Sequence, residues 1–399
     1  MKRPSVHTNW DPLEEIWLGD VWPSHFYDDI KDGRVREAWH QITEWTKEDL
    51  NIIQKKLEEL GITVKRPYVD GQKELYVHPN FEGGKWSSDH NKKLWGRLLK
   101  PPITPRDNNA VIGNRLFFAD HPLLNCYKSL LLEYQMDDIY FPDKTVPSVS
   151  GANLVKLGRD LIFDRYIDHI EDHDKRFQLL FRDFESFENR QLKLLGPEYR
   201  LHVATAGGHC DGCFMPLREG LLLSSLYYKD YEIMFPDWRT INISEPTYAS
   251  DTKQWRNANK WRVPDLPNHV YPFLNEHIEE FCSDWIGDYT ETVFEVNIVM
   301  LDESNMLCMG IHDSLFRELE RCGITPHVVP FRCRTFWDGG LHCITLDVRR
   351  RGEIKDLYPD RGDNGIKRVV SKDFDYDSKK FFDAYYEFID KHGRDRFWN

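Results

Sequence analysis

One thiol, one imidazole and several carboxylates in this chain sit in contexts that would let them act together. Cys343 lies in DGGLHCITLDVRRRG, where Gly339 and Gly340 permit a tight turn and close approach of a ligand. A thiol placed where a loop enters a strand is well held for nucleophilic attack. It needs a base or a cation nearby to form the thiolate at neutral pH. His209 and Asp211, in GGHCDGC, are two residues apart. On a strand they would face one side together, a base beside an anion, with Cys210 turned into the core. Asp160, between the apolar runs of LVKLGRDLIFD, has the residue type needed to hold a histidine in one tautomer, and Asp107 stands in a similar place in ITPRDNNAVIGN.

Each of these residues has a plainer role when taken alone. Cys343 reads as a buried structural cysteine, Asp160 and Asp107 as turn formers, and GGHCDGC as a polar turn. His209, Cys210 and Cys213 are possible zinc ligands, but a structural zinc site usually needs a second ligand pair at comparable spacing, and the sequence offers none. His342 precedes Cys343 and on a strand would point to the opposite face, so it is not taken as the base. Arg349–Arg351 reads as structural, since consecutive strand residues cannot all face one ligand. The case for chemistry rests on the combination.

The elements that would carry these residues repeat. AVIGNRLFFA (110–119), LVKLGRDLIFD (154–164), FMPLREGLLLSS (214–225) and NIVMLDESNMLCMG (297–310) each hold two apolar runs around a polar turn. They read as hairpins turning at Gly113-Asn114, Gly158-Arg159, Arg218-Glu219 and Asp302-Glu303. DPLEEIWLGD (11–20) and HCITLDV (342–348) read as further strands. Ala38, Ile42, Trp45, Ile52, Ile53, Leu57 and Leu60 recur at helical spacing over residues 35–60, with Gly61 as a stop. LEELGITVKRP (57–67) has a counterpart in LERCGITPHVVP (319–330), each passing from a helix end to an extended run. The pattern is α/β, built from repeated ββαβ-like units that are too small to fold alone.

Composition narrows the classes. The 13 Trp, 18 Tyr and 23 Phe exclude a disordered chain. A net charge of −13 argues against nucleic-acid or anionic-membrane surfaces and suits a small cationic substrate. No apolar run is long enough for a transmembrane helix, and MKRPSVHTNWDPLEE lacks a signal peptide's apolar stretch, so a cytosolic location is expected. The eight scattered cysteines are expected to be reduced.

The motifs WDPLEE (10–15), PRD (105–107), GRD (158–160), His-x-Asp (209–211), NIVMLDE (297–303) and HC-x3-DVRRRG (342–352) occur in this order. Together they closely resemble the glycine amidinotransferase family, the arginine-dependent amidinotransferases. The resemblance implies one domain over residues 1–399, folded as a five-bladed, pseudo-fivefold α/β propeller with its active site on the central axis. It implies Cys343 as nucleophile, His209 as general acid/base, Asp160 as the carboxylate orienting that histidine, and Asp107 and Asp211 as the carboxylates gripping a donor guanidinium. It implies small-molecule substrates (L-arginine and an acceptor amine), no cofactor or metal, and a homodimer. Where the family carries an arginine for the donor's α-carboxylate this chain has Tyr228, with Lys229 the nearest cation. Two other readings are a guanidine hydrolase of the arginine deiminase type and a non-catalytic amino-acid-binding protein.

Overall fold

The computed structural model describes residues 1–70, 98–120, 123–141, 149–164, 195, 198–204, 209–224, 235–243, 263, 265–282, 285–286, 295–310, 313–337, 339–361 and 365–366. Lys229 and Tyr228 lie outside these residues.

The expected hairpins form. β3 (Asn109–Ile112) pairs antiparallel with β4 (Arg115–Phe118), and β6 (Leu154–Leu157) with β7 (Asp160–Asp164). β9 (Phe214–Arg218) pairs likewise with β10 (Leu221–Ser224), and β12 (Val299–Asp302) with β13 (Asn305–Met309). Two of the turns fall one residue later than the sequence suggests. Between β9 and β10 it is Gly220, at φ 79°, that takes the left-handed corner open to a residue without a Cβ.

Each hairpin gains a parallel third strand: β5 (Ile139–Tyr140) beside β4, β8 (Arg200–Ala204) beside β7, β11 (Arg239–Asn242) beside β10 and β14 (Thr325–Val329) beside β13. The fifth sheet is assembled from the two ends of the described chain. β15 (Thr345–Arg350) pairs antiparallel with β1 (Leu13–Leu18), which pairs parallel with β2 (Thr63–Lys65). β16 (Gly365–Ile366) adds to the outside of β8. Five sheets with one strand pattern make the pseudo-fivefold α/β propeller that the repeats implied.

Helices cover the sheets from outside. The helix Gly33–Glu59 starts where the Asp32 side chain accepts from Arg34 N at 2.9 Å. Its inner face buries Val35, Ala38, Trp39, Ile42, Leu50, Ile53 and Leu57. Each of the buried Val, Ile and Leu side chains contributes about 1.5–3 kcal/mol. Ile52 falls on the outer face, 48% exposed, because it is adjacent to Ile53 rather than a turn away from it. The first strand of every hairpin is buried on both faces nearly throughout and lines the axis.

The two ends of the axis differ. At the turn end, the N-terminal segment crosses several blades. Ser5 bridges Arg349, Val6 bridges Gly113 and Thr8 bridges Leu157. Gly158 N donates to His7 O at 2.9 Å, and Arg159 N to Lys355 O at 2.8 Å. The other end carries the segments that lead into the first strands, and the reactive side chains gather there.

Candidate active site

Five segments, one ahead of each blade's first strand, join in a closed ring. Gly151 N donates to Arg106 O at 2.9 Å, Asp211 N to Ala152 O at 3.2 Å, and Asn297 Nδ2 to Asp211 O at 3.1 Å. His342 N donates to Asn297 Oδ1 at 3.0 Å, and Arg106 Nε closes the circle on His342 O at 2.7 Å. The ring brings together residues that are up to 236 positions apart in sequence.

Cys343 sits in the turn between Gly340 and Thr345, where Ile344 N donates to Gly340 O and Thr345 N to His342 O. Its thiol donates to Asp211 Oδ2 at 3.5 Å and receives Asn297 Nδ2 at 3.0 Å. Gly340 has to be glycine here, because a Cβ would lie 2.5 Å from Asn297 Oδ1. Burial, with Asp211 and Asp107 adding repulsion, holds the Cys343 thiol well above its ordinary range.

Asp211 is 2% exposed, and burial pushes its carboxyl up to about 8, with Arg106 opposing and Asp107 reinforcing. His209 is the residue before the one-turn helix Cys210–Cys213, so the segment is not the strand the sequence suggested. Cys210 does turn inward, its thiol donating to Ala152 O at 3.1 Å. Burial lowers the His209 imidazole, and Asp107 pulls it back up. The neutral ring that results is suited to taking up a proton. Asp107 therefore acts electrostatically on His209, Asp211 and Cys343 together. Its Oδ2 pairs with Lys100 Nζ at 3.2 Å.

Asp160 has a different place. It is the first residue of β7, opposite Leu157 at the turn end. The run from Ala152, which touches Asp211, to Leu157 spans about 16 Å at about 3.3 Å per residue. An aspartate side chain cannot bridge that gap to His209. Asp160 instead accepts from Arg200 Nη2 at 2.5 Å and pairs with the His202 ring, all three side chains being buried. The expectation that it orients His209 is corrected accordingly. The GRD motif sits across the hairpin turn from the site, and a motif match carries no information about that end.

His342 is the converse case. Residues 341–344 form a turn, so strand alternation does not apply, and His342 Nδ1 lies 2.7 Å from Asp211 Oδ2. Burial drives its imidazole well below the ordinary histidine range, with Arg106 adding to the effect.

Below the ring lies a buried ionic core. Asp347 Oδ1 receives Arg106 Nη2 at 2.6 Å, and Oδ2 receives Lys156 Nζ at 3.1 Å and Arg350 Nε at 2.9 Å. Burial lowers Lys156 to about 8, partly offset by Asp347. Through Arg106, this core holds the carbonyls of His342 and Thr345 on either side of the nucleophile.

Four buried polar oxygens on the ring segments have no partner: Asp107 Oδ1, Ser150 Oγ, Asn153 Oδ1 and Asp211 Oδ1. Asp107 Oδ1 and Asn153 Oδ1 accept only, Ser150 Oγ is a hydroxyl able to accept, and Asp211 Oδ1 accepts only once its raised carboxyl has ionised. Such a set matches a planar cation that only donates, as a guanidinium does. No group of His, Cys, Asp and Glu among the described residues is arranged to hold a metal. Ser150, Asn153 and Asn297 escaped the sequence reading and His342 was set aside there, although each lies on the approach to a hairpin or strand, as Asp107, Asp211 and Cys343 do.

Comparison with known proteins bears on what this ring belongs to. No family model matches the chain. Inosamine-phosphate amidinotransferase 1 of Streptomyces glaucescens is 24% identical over 406 aligned residues, covering 89% of this chain and 99% of that protein. The L-arginine:L-lysine amidinotransferase of Pseudomonas savastanoi pv. phaseolicola is 22% identical, covering 88% of this chain and 95% of its own length. Along nearly its whole length the chain is similar to amidinotransferases. The solved structure of the inosamine-phosphate amidinotransferase StrB1 from Streptomyces griseus shares its fold, with a TM-score of 0.57 at 21% identity over 88% of this chain and 98% of that one. The likeness to that structure extends to the pentein-type propeller fold. No helix among the described residues is long and apolar enough to cross a membrane.

Proposed function

We propose that this chain transfers the amidino group of L-arginine to an acceptor amine through a covalent intermediate on Cys343. The observation that carries the reading is a buried thiol bonded to Asp211, inside a ring whose unpartnered oxygens suit a guanidinium.

The chemistry follows from the arrangement. A guanidinium held by Asp107 and Asp211 presents its carbon to Sγ, which supplies proximity. The bound cation favours the charged forms of Asp211 and Cys343 that burial disfavours in the free site. His209 takes the proton of the Cys343 thiol, the thiolate attacks the guanidino carbon, and His209 passes that proton to the departing amine, so that ornithine leaves. The acceptor amine then gives a proton to His209 and attacks the amidino-cysteine, and the thiol is restored. Two half-reactions through one covalent intermediate give ping-pong kinetics.

The acceptor is a primary amine whose identity the relatives leave open, since their names include both lysine and inosamine-phosphate amidinotransferases. Lys229 is proposed as the cation for the donor carboxylate. The test incubates the enzyme with arginine and separate amines (glycine, lysine, ornithine, taurine, 4-aminobutyrate and an aminocyclitol phosphate) and identifies every guanidino product by mass. Ornithine with a guanidinylated amine is the expected result. Citrulline and ammonia alone would replace transfer with hydrolysis.

A further inference from the structure

Asn297 opens the fourth blade, just ahead of β12, and is fully buried. Its amide uses every hydrogen-bonding capacity it has. Oδ1 accepts from His342 N at 3.0 Å and from Cys343 N at 3.1 Å. Nδ2 donates to Asp211 O at 3.1 Å and to Cys343 Sγ at 3.0 Å. A carboxamide has two acceptor sites and two donors, and none is left over.

The donor on sulfur matters because burial and the nearby carboxylates oppose the thiolate, and the Gly340 backbone is the one other group among the described residues that favours it. Burial removes water from Cys343, and Asp211, when ionised, and Asp107 repel a negative charge on it. The cations of the ionic core point away, with Arg106, Lys156 and Arg350 all turned onto Asp347. Cys343 has no long helix N-terminus beneath it, since it lies in a turn leading into β15. Among the described residues Asn297 is the one side chain that donates to Sγ.

We propose that Asn297 is a catalytic residue of this site, stabilising the Cys343 thiolate through its Nδ2–H while its Oδ1 pins the backbone that carries the nucleophile. A hydrogen bond to the charged form of an acid favours that form, and a fixed neutral donor in a dry site needs no reorganisation. A neutral amide also suits a cationic substrate, because it stabilises sulfur without repelling the guanidinium as a lysine or arginine would. The inference rests on Cys343 being the nucleophile of the proposed transfer.

The test is the pH dependence of Cys343 alkylation by iodoacetamide, in the enzyme without arginine or amine. Asn297→Leu removes the donor and adds no charge. Asn297→Asp removes the donor and keeps an oxygen for the two backbone amides. Both variants are expected to alkylate at least tenfold more slowly at neutral pH and to shift the midpoint upward by about one pH unit or more. A wild-type midpoint in Asn297→Leu overturns the proposal, because a shift confined to Asn297→Asp would then reflect added charge alone. Should either variant fail to fold, Asn297→Ala carries the test, and an unchanged midpoint there also overturns the proposal. This readout needs no substrate. A chain that alkylates in an Asn297-dependent way yet transfers no amidino group would keep the donor role and refute the proposed function.

Discussion

Asp211 Oδ2 lies 3.5 Å from Cys343 Sγ, so the acid nearest the nucleophile is itself buried and raised. Burial pushes its carboxyl up to about 8 in the folded chain, against an ordinary aspartate value of about 3.9. The folded state then binds a proton that the unfolded chain has lost throughout that interval. Stability from this group falls as pH rises from about 4 to about 8.

Asp211→Asn removes that penalty while deleting a carboxylate proposed to grip the substrate. The variant is expected to lose transfer activity and to melt higher than wild type. The gain should grow between pH 5 and pH 9 and reach at least about 2 °C. Differential scanning calorimetry across that range checks it, and equal or lower melting at pH 9 counts against the assignment.

Guanidinium binding should show the reverse face of the same linkage. An arginine side chain stays cationic, so a pH dependence of its affinity reports the site. In Cys343→Ala, which binds without turnover, affinity for arginine is expected to rise towards tenfold per pH unit between pH 6 and 8, then flatten. Titration calorimetry in buffers of different ionisation enthalpy should show proton release on binding. A flat affinity would remove Asp211 as a gripping group.

Asp160→Asn separates structure from chemistry. Arg200 would be left buried without its full partner, at a cost of about 3–5 kcal/mol. Urea unfolding should show that loss, whereas the pH midpoint of Cys343 alkylation should stay at the wild-type value in the folded fraction. A shifted midpoint would mean that Asp160 acts on the site after all.

Asp347→Asn should be costlier than an ordinary surface change. It leaves Arg106, Lys156 and Arg350 without the anion they share, and removing one member of a buried ionic group typically costs about 3–5 kcal/mol. The unfolding midpoint in urea measures it. A change within about 0.5 kcal/mol would show that the core is held by packing alone.

The hairpins were legible because apolar runs around glycine corners leave a local signal, and their recurrence exposed the repeat. The ring was legible only in part. Cys343, His209, Asp107 and Asp211 were singled out by side-chain type together with the family resemblance, but nothing local states which end of a hairpin faces the axis. Asp160 was misplaced for that reason, since it follows the turn rather than preceding the first strand. His342 was set aside by applying strand alternation to a turn. Asn297 was hidden because a neutral amide at the start of an apolar run looks like any strand boundary. Its role appears only once residues 211, 342 and 343 surround it.

The central claim is that Cys343 carries the amidino group. Wild-type enzyme incubated with arginine and no acceptor, quenched in acid and mapped by peptide mass, is the direct measurement. The account predicts an amidino group on the peptide containing Cys343, matched by an equal amount of ornithine and absent from Cys343→Ala. Ornithine release with no adduct on that peptide, or an adduct that persists in Cys343→Ala, would contradict it.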